Sequence, residues 1–427
     1  MRLLWTAGLA VLAVACAEPP PADMNAIAER YVKLVLQVGQ HDPDFVDAYY
    51  GDPSWRPEGD PTPRPELLAE VRALRAVLDE TPAPPDGEPL ERLRHEYLDR
   101  QLAAVESRLL MLDGASFSFD EESRRLYDAE APHHTAEDFQ AVLDQLAARL
   151  PGEGPLPDRY AAFRERFVIP RDRLDAVFRA AIEGCRERTA ARMELPEEQQ
   201  FTLEYVTGQS WSGYNWYKGG FTSLIQINTD LPITIDRAVD LACHEGYPGH
   251  HVYNVMLEKH LVRDRGWVEF SVYPLFSPQS LIAEGTATYG IDVAFPGDER
   301  TAFERETLYP LAGLDPATAG EYAAVQALVE ELSYAENEAA RRYLDGAFTR
   351  EQAADWLQRY AMLPRDRAEQ RTRFFDQYRS YVINYNVGRD LVRDYVERQG
   401  GTADQPGVRW SGFANLLASP LLPSGLR

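Results

Sequence analysis

The 427 residues predict a mainly α-helical protein carrying one small antiparallel β-sheet. Three observations carry that expectation. Apolar residues recur at three- and four-residue spacing through most of the chain, as in Ile27, Tyr31, Leu34 and Val35. Helix punctuation stands at the ends of these runs. Thr135 with Asp138 has the form of a capping box, and Ser277-Pro278 places a cap residue before a first-turn proline. Finally, the period switches to strand-like alternation only between Phe201 and Asn228.

Charge narrows the function classes. Lys+Arg 44 against Asp+Glu 68 leaves a net charge of −24, which argues against nucleic acid and anionic membrane surfaces as partners. A 44% hydrophobic fraction with 11% aromatics belongs to a globular chain able to bury a sizeable core.

The chain opens with Met1-Arg2 and an apolar run over 3–15, a secretory segment too short to span a bilayer. Its end, Ala13-Val14-Ala15-Cys16, allows either ordinary cleavage or lipoprotein processing with acylation of Cys16. The lipoprotein reading is taken here, since Glu18-Pro19-Pro20-Pro21 then forms a stiff tether. This divides the chain into a signal segment (1–16), a tether (17–23) and a single domain (24–427). The expected location is the bacterial outer membrane or periplasm, with membrane contact only through the lipid anchor.

Within the domain, 24–39 is helical and 42–65 is loop-like, rich in Pro, Asp and Gly. Helices follow over 65–78 and 90–112, separated by Pro82-Ala83-Pro84-Pro85, then over 121–127, 135–150 and 171–195. This half, 24–199, is a scaffold with little visible chemistry; His133-His134 precede a helix cap and fit an exposed loop. In the second half, 200–427, strands over 202–206 and 223–228 flank an aromatic, glycine-rich loop over 211–220. Helix continues over 315–399, with Tyr378, Tyr381 and Tyr385 spaced along one last long helix. The tail from Gly400 is loop-like, with Trp410 and Phe413 available to dock it.

The chemistry centres on Cys243-His244-Glu245-Gly246-Tyr247-Pro248-Gly249-His250-His251. In the usual zinc motif, His-Glu-x-x-His, two histidines four apart share a helical face and reach one ion, and the glutamate is the base. Here the fifth position is Pro248, and the next histidines stand six and seven residues after His244. On a straight helix His250 falls about 120° off the face of His244, and His251 lies about 10 Å away along it. Neither suits ligands about 2.1 Å from a zinc ion. Pro248 cannot donate to the His244 carbonyl and Gly249 tolerates unusual geometry, so a local bulge can remove the extra residues. Of the remaining cysteines, Cys185 and Cys243 could form one disulfide, while Cys243 is read as a small buried hydrophobe and not a ligand.

This motif, with Ala283-Glu284-Gly285-Thr286-Ala287-Thr288-Tyr289, resembles the bacterial family called domain of unknown function 885, grouped with the gluzincin metallopeptidases. The resemblance implies a large helical gluzincin-like fold with its small sheet beside the zinc helix. It implies one Zn²⁺ held by His244, His250 and Glu284, with Glu245 as general base. Thr286 stands where the family usually has Trp. Tyr385-Asn386-Val387-Gly388 matches the family's late Tyr-x-x-Gly and gives Tyr385 as an oxyanion donor. In some relatives a glycine precedes the second histidine, so Gly249-His250 aligns with it and makes His250, not His251, the ligand. Tyr214, Tyr217, Asn228 and His251 are candidate substrate contacts, because gluzincins pair the substrate backbone with a strand edge near the zinc helix.

The implied activity is hydrolysis of short peptides. Rival readings are a zinc hydrolase of a non-peptide amide or ester, and a non-catalytic metal-binding surface lipoprotein; the intact Glu245 speaks against the last.

Overall fold

The computed structural model describes residues 23–82 and 88–427. The signal segment with Cys16, the tether up to residue 22 and most of the proline-rich turn lie outside the described residues. In chain order the elements are α1 (Met24–Val38), β1 (Val46–Tyr49), α2 (Arg64–Glu80), α3 (Pro89–Leu112), α4 (Phe119–Tyr127), α5 (Ala136–Arg149), α6 (Leu156–Glu165) and α7 (Leu174–Ala190). Next come β2 (Gln200–Val206), β3 (Gly213–Gly219), β4 (Thr222–Asn228), α8 (Ile235–Leu241), a π-helical stretch (Ala242–Gly246), α9 (His250–Leu257), β5 (Val272–Pro274) and α10 (Pro278–Ala294). The remainder is α11 (Glu299–Phe303), α12 (Tyr309–Ala312), α13 (Ala319–Glu330), α14 (Tyr334–Leu344), α15 (Arg350–Tyr360), α16 (Arg365–Tyr378), α17 (Ile383–Arg398) and α18 (Pro406–Leu417). The fold is mainly α, as the helical spacing predicts. One apolar core runs through it, from Ile27 on α1 to Leu426 at the far end.

Local signals account for many boundaries. Thr135 and Asp138 form the capping box of α5, and Ser277 is the N-cap of α10 with Pro278 in its first turn. Others differ from the sequence reading. The helix expected over 171–195 is regular only from Leu174 to Ala190.

The sheet is mixed, not antiparallel. Its order is β2-β4-β3, with β2 parallel to β4 and β3 antiparallel to it. The stretch read as an aromatic loop is therefore the edge strand β3. Asn215 and Tyr217 point inward while Tyr214 and Trp216 take the other face, and such aromatics favour a pleated surface. Its bounding glycines, Gly213 and Gly219, disguise it as a turn. Likewise the supposed loop at 42–65 contains β1, paired antiparallel with β5 (Ala48 opposite Tyr273).

The late tyrosines do not share one helix. α16 stops at Tyr378, and Arg379 takes φ 53°, ψ −123° before α17 begins at Ile383. Glu122, from α4, holds this break: it accepts from Arg379 Nε at 2.6 Å, Ser380 N at 3.1 Å and Ser380 Oγ at 2.6 Å. A non-glycine residue in such a sparsely populated backbone conformation costs about 1–3 kcal/mol, and bonds to a buried charge of about 1.5–3 kcal/mol each offset it. Finally, the tail is not a loop: α18 buries Trp410 and Phe413 against the body.

Candidate metal centre

α8 delivers His244 and Glu245 into a widened turn. Tyr247 N bonds to Ala242 O at 3.3 Å, and Gly249 N bonds to Cys243 O at 2.9 Å. Such bonds close larger rings than an α-turn and absorb the extra residues between the histidines. A Cβ on Gly249 would fall 2.0 Å from the His244 carbonyl oxygen, so only glycine fits before His250. The outcome is that the rings of His244 and His250 lie 4.7 Å apart, perpendicular to each other.

α10 brings Glu284 against them. Its carboxylate lies 3.1 Å from His244 Nε2 and 3.7 Å from His250 Nε2. One ligand atom from each of the three residues falls within 4.8 Å of the others. The position of α10 depends on a close crossing with α17, where a Cβ on Gly388 would meet Leu281 O at 2.7 Å and Gly285 Cα at 3.0 Å. The glycine of the Tyr385-x-x-Gly388 pattern is thus a contact point. From α17, the Tyr385 ring stacks at 6.4 Å on that of His244.

Two features fit a cation. Glu284 Oε2 is buried and makes no well-directed hydrogen bond, although His244 Nε2 lies 3.1 Å away. Negative charge is also in surplus around the histidines. Burial opposes ionisation of Glu284, yet His250 and His244 outweigh it and hold the carboxyl below its usual range. Burial likewise opposes charge on His250, but Glu284, Glu245 and Asp47 push it up to about 9. Such an imidazole demands a positive charge, and a metal ion can supply it in place of the proton.

Glu245 is buried, and burial pushes its carboxyl up, helped by Glu284 and countered by His244 and His250. Its carbonyl accepts from Asn215 Nδ2 at 2.7 Å, which ties edge strand β3 to the histidine turn. Two neighbours escaped the sequence reading. Tyr381 donates to Glu284 Oε1 at 2.7 Å and orients that carboxylate. Asp47 on β1 accepts from the Tyr214 hydroxyl, and burial pushes its carboxyl up to about 6.

The candidate substrate contacts divide. Tyr214 and Asn228 line a cavity of about 820 Å³ that also holds His244, His250, Glu284 and Tyr385. Asn228 fixes the loop before β3 by donating to the carbonyls of Gln209 and Trp211. Tyr217 does not line it; it is buried and donates to Glu258 at 2.6 Å. Nor does His251, wholly buried between Ser223 Oγ at 2.8 Å and Gln199 Oε1 at 2.9 Å. Its ring lies about one residue's rotation from His250 and faces the sheet.

Cys243 forms a disulfide with Cys185 on α7, so it is a cross-link and not a lone hydrophobe. Asp120, Glu130 and His133 also lie close together, but Arg341 takes Asp120, Arg124 takes Glu130 and His133 pairs with Asp120.

No family model matches the chain, and no curated protein matches it. Two solved structures are similar. One, from Colwellia psychrerythraea, is provisionally described as a lipoprotein; it shares 16% identity at TM-score 0.51, over 85% of this chain and 68% of that one. The other, from Shewanella oneidensis, is provisionally described as a lipoprotein of unknown function; it shares 15% identity at TM-score 0.41, over 83% and 72%. The first likeness is one of fold.

Proposed function

We propose that the chain is an exported, lipid-anchored zinc metallopeptidase of the gluzincin kind, related to the domain of unknown function 885 family and acting on short peptides. The observation that carries the reading is the convergence of His244, His250 and Glu284 around a buried, unpartnered carboxylate oxygen, with Glu245 beside them. A zinc ion bound there supplies a Lewis acid and makes hydroxide available near neutral pH. Glu245 takes a proton from the attacking water and passes it to the leaving amine as the C–N bond breaks. Tyr385, on the His244 side of the cavity, donates to the developing oxyanion. β3 is the edge strand of its sheet, the position from which backbone groups would pair with an extended substrate.

Export is supported by the leader and by the Cys185–Cys243 disulfide, which persists in an oxidising compartment. The description of the Colwellia protein is of the same kind. The test is metal content and turnover of a peptide and ester panel by the purified domain, wild type and Glu245→Gln. One zinc per chain in both, with peptide hydrolysis reduced by orders of magnitude in the variant, is the expected result. Undiminished hydrolysis by Glu245→Gln sinks the base assignment, and a zinc-loaded protein that cleaves only esters sinks the peptidase reading.

A further inference from the structure

Beyond the histidines, the same cavity is lined by three arginines from three helices: Arg164 on α6, Arg237 on α8 and Arg367 on α16. Two routes locate them. Arg237 stands seven residues before His244 on one continuous helical path, two turns or about 10 Å away. Arg367 stands one turn before Arg371, whose guanidinium lies 5.6 Å from the centre of the Tyr385 ring, beside His244. Both routes lead to one flank of the metal centre.

Arg367 is the unmatched member of the cluster, and the acids near the other two are shared. Arg367 has no carboxylate within ion-pair distance among the described residues, and its side chain reaches only Gln370 Oε1, at 3.4 Å. Arg164 donates to Thr234 Oγ1 at 3.1 Å, and its buried Nε has no partner. Asp236, whose charge Arg164 feels, commits its oxygens to Tyr322 at 2.7 Å and Gln326 at 2.9 Å. Arg237 contacts Asp240 at 3.2 Å, but Asp240 is shared with Arg300 at 2.8 Å. The strain is visible on Arg367: burial, then the charges of Arg237 and Arg164, lower its affinity for its own proton. In a chain with 68 acids to 44 bases, such an arrangement is not a default of composition. Elsewhere in the cavity arginines are matched, Arg371 by Glu336 at 2.6 Å and Arg389 by Glu330 and Asp292.

We propose that Arg367, with Arg237 and Arg164, forms the subsite for the free C-terminal carboxylate of the peptide substrate. Guanidinium forks match carboxylates in charge and geometry, and partial burial strengthens that match. An extended peptide advances about 3.3–3.6 Å per residue. The backbones of Arg237 and His244 stand about 10 Å apart, the span of about three extended residues, so the arginines lie within a short peptide's length of the metal centre. The enzyme therefore trims short pieces from C-termini instead of cutting chain interiors. This rests on the metallopeptidase reading and extends it to a substrate class.

The experiment compares one peptide as free acid and as C-terminal amide, on wild type, Arg367→Met and Arg367→Lys. Calorimetric titration of the metal-free protein reads binding, and the zinc-loaded protein reads kcat and KM. Wild type should prefer the acid by about 10- to 100-fold in affinity and in KM, the scale of a charge-assisted contact. Arg367→Met should lose that preference, and Arg367→Lys should recover part of it. Equal affinity of wild type for acid and amide overturns the subsite, whatever the turnover. A preserved preference in Arg367→Met overturns it as well. Preference for the acid without hydrolysis by the zinc-loaded protein supports the subsite and overturns the peptidase reading instead.

Discussion

Two adjacent histidines, His250 and His251, sit in opposite environments, and replacing them in turn should separate their roles. His251 is wholly buried, and burial pushes its pKa down to about 3. In the unfolded chain the imidazole titrates near about 6.5. Between those values the unfolded chain binds a proton that the folded one refuses, so stability rises with pH across this window. The full contribution is present above the unfolded value and is lost as pH falls through the folded one. At pH 5 the loss is about 2 kcal/mol relative to neutral pH, from about 1.5 units at 1.36 kcal/mol each. His251→Asn should therefore be less stable at pH 7.5, through the lost bonds to Gln199 or Ser223, yet should show about 2 kcal/mol less acid destabilisation at pH 5. Urea unfolding of the metal-free, disulfide-intact proteins at both pH values measures this difference. Zinc retained after dialysis is the second readout: His250→Ala should lose the metal and His251→Asn should keep it. Parallel pH dependence in wild type and His251→Asn would refute the buried-neutral assignment. Zinc lost from His251→Asn but kept by His250→Ala would reverse the ligand assignment.

Five further replacements have expected outcomes of their own. Tyr385→Phe should lower kcat by about 10²-fold with little change in KM, whereas Tyr381→Phe, which frees Glu284 Oε1, should weaken zinc affinity by about 10- to 100-fold; competition with a zinc chelator and steady-state kinetics distinguish them. Gly388→Ala places a methyl 2.7 Å from Leu281 O and should destabilise the fold by about 1–3 kcal/mol while lowering zinc affinity, since α10 carries Glu284; unfolding and metal titration read the two effects. Paired replacement of Cys185 and Cys243 by alanine should cost up to about 4 kcal/mol, the loop-entropy value for a separation of 58 residues, measured by urea unfolding. Cys16→Ser should abolish incorporation of labelled fatty acid, and an unlabelled wild-type protein would count against the anchor.

What the sequence made legible depends on how local each requirement is. His244 and His250 must meet within one turn, so Pro248 and Gly249 betray the bulge, and the close approach of Gly249 to the His244 carbonyl accounts for the glycine. Glu284 stands on a helix announced by its own cap, Ser277-Pro278. Tyr381 escaped because the break that aims it is made by Glu122, 257 residues away from Arg379 in the chain. With an unbroken helix assumed, Tyr378, Tyr381 and Tyr385 look equivalent; in the fold only Tyr381 reaches Glu284. Asp47 was hidden in a stretch whose prolines and glycines outweighed a four-residue strand, and that strand is stabilised by pairing with β5 rather than by its own propensity.

The arginine cluster shows the same limit from the other side. Arg164, Arg237 and Arg367 lie on three separate helices, far apart in the chain. Only the fold turns those three residues inward onto one cavity and leaves Arg367 without an acid partner among the described residues. Metal ligands must satisfy an ion at about 2 Å, which forces residue type and spacing into a recognisable local pattern. A carboxylate subsite tolerates several guanidinium positions, since long side chains can converge from different backbones. The chemistry of bond cleavage thus leaves a stronger imprint on local sequence than the choice of substrate does. For this chain, a motif suggests the reaction class, and the proposed carboxylate subsite rests on the cavity alone.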